Sequence, residues 1–97
     1  MITSDRWQTF TSRDQLGHIA AEVLRAKFAK SEPACKGMLE RAFELIDLSL
    51  ADPKWLKNPL PLLVLRAELA KVYLGDQYFA GQSMGLARAL DKIVAAI

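Results

Sequence analysis

One cysteine, one histidine and a nearly balanced charge leave this 97-residue chain short of most groups that catalysis and metal binding use. With Cys35 alone, no internal disulfide forms and no cysteine-based zinc cluster assembles. A carboxylate-bridged di-iron bundle needs two Glu-x-x-His pairs and two further glutamates. Here the residue three before His18 is Gln15, and there is no second histidine. Glycine-rich phosphate loops are absent, as is a serine in a Gly-x-Ser-x-Gly elbow. The net charge is only +2, with Arg25, Lys27, Lys30, Lys36, Lys54 and Lys57 scattered among acids and loops. A nucleic-acid module concentrates its cations more strongly. The greasiest stretch, Leu60 to Leu65, is far below the roughly 20 residues a membrane helix needs. The opening MITSDRWQTF carries no long apolar segment of the secretory kind. These absences lead us to expect no catalytic residues, no cofactor, no metal, no nucleic-acid partner and no membrane span, in a cytoplasmic protein.

What the chain does have is apolar bulk. Hydrophobic residues make up 52% of it and charged residues 25%, which argues against intrinsic disorder. Residues 1–97 are of a length for one domain with one modest core. The apolar surplus points to a homo-oligomer or to a face reserved for a protein partner.

Helical spacing organises that bulk. Residues 1–11 read as a short polar arm pinned by Trp7 and Phe10. Ser12 with Gln15 forms the pattern of a capping box. Leu16, Ile19, Ala20, Val23, Leu24 and Phe28 then make one apolar arc, with His18, Glu22 and Arg25 opposite. Ser31 and Pro33 open a second helix. Its inward set is Met38, Leu39, Ala42, Leu45, Ile46 and Leu50, and its outward stripe is Glu40, Glu44 and Asp47. Asp52-Pro53 ends it, and Asp52 is placed to cap a single turn holding Trp55. Asn58-Pro59 opens a third helix, Leu60 to Leu74, apolar nearly all round, with Gly75 as its terminator. Residues 76–83 are ambiguous. Ser83 is placed to cap a last helix with Leu86, Leu90, Ile93, Val94 and Ile97 on one face. Short connections between such segments predict an all-α fold, an antiparallel up-down four-helix bundle with a short N-terminal arm.

Two groups of residues break the pattern or exceed it. Arg66 projects among Leu62, Leu69, Ala70 and Tyr73, so it must snorkel or meet a carboxylate, with Glu22, Glu44 and Asp47 as candidates. With His18, Glu22, Arg25, Glu40, Glu44 and Asp47 it forms a candidate polar cluster, read either as solvated faces or as one groove for a cation, a metal or a basic peptide. Leu62, Leu63, Val64, Leu65, Leu69 and Val72 form the candidate interface of a self-associating or partner-binding module.

Two resemblances attach to these residues. Arg13 and His18, an Arg-x4-His pair, resemble the ribonuclease motif of HEPN-domain toxins, which implies an RNA-binding or RNA-cleaving alternative. Taken in order, Gln15-Leu16-Gly17-His18-Ile19, Glu40 to Leu48, Asp52-Pro53-Lys54-Trp55, Arg66-Ala67-Glu68 and Gly75-Asp76 with Tyr78 resemble a group of short uncharacterised bacterial all-helical proteins. That resemblance implies an architecture and carries no activity.

Overall fold

Short polar side chains that accept backbone N–H groups set most helix starts in this chain. The computed structural model describes residues 2–75 and 87–95. Thr3 caps α1, Ser4–Gln8, through Arg6 N at 3.2 Å. Thr11 caps α2, Ser12–Lys27, through Asp14 N at 3.1 Å. Ser31 caps α3, Glu32–Leu50, through Ala34 N at 3.2 Å, with Pro33 in the first turn. Asp52 caps a 3-10 turn, Pro53–Trp55, through Lys54 N at 3.0 Å. The exception is α4, Leu60–Tyr73, which follows Pro59 with no side-chain cap. A last helix, α5, covers residues 87–95. The described residues are thus all-α, with five helices and no strand.

Three local expectations need correcting. The capping box at Ser12 does not form: the cap is one residue earlier, and Gln15 turns inward instead. Asn58 does not cap α4. Gly75 has no positive φ, so α4 ends without a left-handed residue, its last turn closed by Gly75 N to Val72 O at 3.3 Å. The arm is itself helical, and its Trp7 is buried as expected. The readings at 76–83, Leu86 and Ile97 lie outside the described residues.

The core follows an alternation of three and four residues on every long helix. It takes Leu16, Ile19, Val23 and Ala26 from α2, and Cys35, Leu39, Ala42 and Ile46 from α3. Leu62, Leu65, Leu69 and Val72 of α4 join them, with Ala89 and Ile93 of α5 and Trp55. This spacing is what side-by-side helices need to interdigitate. The principal packing is α2 on α3, with α3 on α4 next. Each large aliphatic so buried contributes about 1.5–3 kcal/mol. Leu24, Phe28 and Val94, expected inward, are instead exposed. In α2 the buried arc runs on to Ala26, and in α5 it runs through Ala89 and Ile93.

Candidate functional site

The polar cluster expected from the sequence divides into two. His18, Glu22, Glu40 and Glu44 border a cleft of about 830 Å³ between α2 and α3, whose floor includes Trp7. His18 packs on Phe10, ring centroids 5.0 Å apart, and lies 5.8 Å from Trp7. Arg25 donates to Glu22 Oε1 at 2.6 Å, one turn along α2. The other Glu22 oxygen is buried with no hydrogen-bond partner among the described residues. No group of three or more His, Cys, Asp or Glu among the described residues is placed to hold a metal ion. Arg13, with Asp14, Gly17 and His18, lines a second, more open hollow along α2's first turns, which shares His18 with the cleft.

Arg66 is not buried. Its side chain is 44% exposed, and Nε donates to Asp47 Oδ1 at 3.0 Å while the guanidinium lies 5.3 Å from the Phe43 ring. The ring the guanidinium lies over is Phe43 of α3. Tyr73 meets Phe43 edge-on and donates its hydroxyl to Glu40 Oε2 at 2.7 Å. That hydrogen bond, with some desolvation and the carboxylate's charge, raises the Tyr73 phenol above its ordinary 10.0. Arg66–Asp47 and Tyr73–Glu40 together tie α4 to α3 from outside the core. An exposed pair of this kind contributes about 0–1 kcal/mol, so it orients more than it stabilises.

The structure also contains a polar junction that the sequence pattern did not reveal. Gln15 is fully buried. Its Nε2 donates to Trp7 O at 2.9 Å and to Asp52 Oδ2 at 2.9 Å, and its Oε1 accepts from Trp55 Nε1 at 2.7 Å. Trp7 Nε1 donates to Ser49 Oγ at 2.9 Å, which in turn donates to Leu45 O at 2.8 Å. Lys54 Nζ donates to Asp52 Oδ2 at 2.6 Å and to Gln8 O at 2.9 Å. One glutamine thus joins α1, α2 and the 3-10 turn. A signal existed: buried indole N–H groups require acceptors, and Gln15 projects at the edge of the arc made by Ile19 and Ala26.

Burial pushes the Asp52 carboxyl up, but hydrogen bonds from Lys54 and Gln15 outweigh it and hold the group below its ordinary 3.8. A carboxylate with a depressed folded-state pKa adds stability above its unfolded value and loses it as pH falls through the folded one. Melting temperature is therefore expected to drop on acidification below pH 3.8. A thermal series in Asp52→Asn should show a shallower acid slope than the wild-type protein, and equal slopes would contradict the assignment.

The candidate interface residues separate by face. Leu62, Leu65, Leu69 and Val72 belong to the core of this same chain. Val64 is half-buried, and Leu63 is 48% exposed. Leu63 lies on a second apolar stripe with Leu60, 62% exposed, Leu74, 76% exposed, and Ala67 and Ala70 between them. The spacing of this stripe is again three and four. Helix α4 is apolar because it carries two seams, one used inside the chain and one facing out. Arg66 and Tyr73 flank the outer seam on one side, and Val64, Glu68 and Lys71 on the other. Lys71 and Glu68 approach at 3.6 Å along the helix.

No family model, characterised protein or solved structure matches this chain. No described helix is long and apolar enough to cross a membrane.

Proposed function

We propose that this protein is a non-enzymatic helical interaction module that self-associates through the outward seam of α4. The observation that carries the reading is the exposure of Leu60 and Leu63 and of the C-cap residue Leu74 on one line of α4, whose opposite line fills the core. Scattered exposed leucines need no explanation, whereas a seam with core-like spacing does. The antiparallel up-down bundle is the topology we propose to present it, supported by the short links and the α2–α3 and α3–α4 packing. The likeness to short bacterial all-helical proteins and a cytoplasmic setting belong to the same proposal, the latter supported by a chain whose single cysteine is buried.

A 14-residue helix is about 21 Å long. Its outer face alone falls short of the roughly 800 Å² per partner of a standard interface. The expected product is a reversible dimer with a dissociation constant in the micromolar range. Sedimentation velocity across a concentration series tests this: the mass should rise from monomer to dimer. Leu63→Glu, which places a charge in the seam, should weaken the dimer by about 100-fold or more. A wild-type protein that stays monomeric at all concentrations would end this reading.

A further inference from the structure

Resting on the self-association reading, we propose that the occupant of the seam is α4 of a second copy lying antiparallel, with Ala67 and Ala70 where the two helices come closest. Leu60, Leu63, Ala67, Ala70 and Leu74 occupy the alternating core positions of two heptads. In an antiparallel pair about a two-fold axis, Leu63 faces Leu74 of the second copy and Ala67 faces its Ala70. Large side chains then close both ends, and small ones meet in the middle.

Charge decides between the two orientations. In a parallel pair the residue before one seam position faces the residue five further along the partner helix. That juxtaposition sets Arg66 against Lys71 twice over, like charge on like. Reversing one helix brings each flank against the same flank of its partner. Lys71 then lies beside Val64 and Glu68 of the second copy, and Arg66 beside its Tyr73. Arg66 and Lys71 keep their own carboxylates, Asp47 and Glu68, within reach in either chain. Only the antiparallel arrangement avoids bringing the two cations together.

Proteins carrying one introduced cysteine distinguish the arrangements. Leu63→Cys and Leu74→Cys both alter exposed positions, and Cys35 is buried, with the wild-type protein serving as its control. Equal amounts of the two variants are mixed and treated with a short bifunctional thiol reagent. The antiparallel seam predicts the mixed Leu63→Cys/Leu74→Cys product in large excess over either self-linked product. Dominant self-linking of each variant would show a parallel pair and overturn the proposal. A dimer by sedimentation that links through neither position would place the contact on another face, and also overturns it. Monomeric wild-type protein removes the self-association reading itself, which sedimentation reports separately from the linking pattern.

Discussion

Replacing Gln15 with leucine is expected to destabilise the fold by about 3–5 kcal/mol, lowering the melting temperature by about 15–30 °C. The substitution keeps helix propensity and changes volume by only about one methylene, so most of the loss comes from hydrogen bonding. Gln15 satisfies the Trp55 indole, the Asp52 carboxylate and the Trp7 carbonyl at once. Leucine leaves the Trp55 N–H without an acceptor and takes one of the donors from Asp52 and from the Trp7 carbonyl, which keeps the Phe10 N–H at 3.2 Å, in a place water does not reach. A buried polar group left unpaired costs about 1–3 kcal/mol, and a charged one more. Lys54 remains on Asp52 and limits the damage there. Urea denaturation measures the change, and limited proteolysis should show the segment before Thr11 released first, because Gln15 anchors it through the Trp7 carbonyl. Gln15→Glu offers a second reading of the same site. It keeps the acceptor for Trp55 but sets a carboxylate against Asp52, so its stability should recover partly on mild acidification, opposite in direction to the wild-type protein. A loss under about 1 kcal/mol for Gln15→Leu would mean that the junction is incidental to the fold.

Periodicity made the inward face of α3 legible, because Leu39, Ala42 and Ile46 recur at helical spacing opposite a charged stripe. It placed Ser31 and Asp52 as caps for the same local reason: each is a short acceptor just ahead of a proline-containing first turn. It failed where the deciding partner is distant in sequence. Gln15 looks like a capping residue beside Ser12, yet its partners are Trp7, Asp52 and Trp55, the last two 37 and 40 residues away. Leu24 and Phe28 have the spacing of core residues, but α2 packs through Ala26, and a small residue announces nothing in a hydrophobic pattern. Arg66 projects into an arc that is too broad, because two apolar seams on α4 were merged into one. Separating them required knowing which seam meets α3. For the polar cluster, shared spacing brought His18, Glu22, Glu40 and Glu44 to one cleft but left Asp47 facing Arg66, since a helix face is wider than one groove.

That separation gives a paired prediction on a single helix. Leu69→Ala removes a side chain with no exposure, and should cost about 3–4 kcal/mol of stability while leaving the dimer dissociation constant within about threefold. Leu63→Ala removes one that is 48% exposed, and should change monomer stability by less than about 1 kcal/mol while raising the dissociation constant roughly tenfold. Denaturation at low protein concentration isolates the first quantity, and sedimentation the second. The two residues are six positions apart and about 120° apart around the helix, so their effects should add in the double variant. If Leu63→Ala unfolded the protein as strongly as Leu69→Ala, the outer seam would be part of the chain's own core and could not receive a second copy. If Leu69→Ala instead weakened the dimer most, the inner and outer seams would have exchanged roles. A clean division of the two effects would explain why a sequence of this size carries so apolar a helix: one line of it holds the fold, and the other is kept for contact.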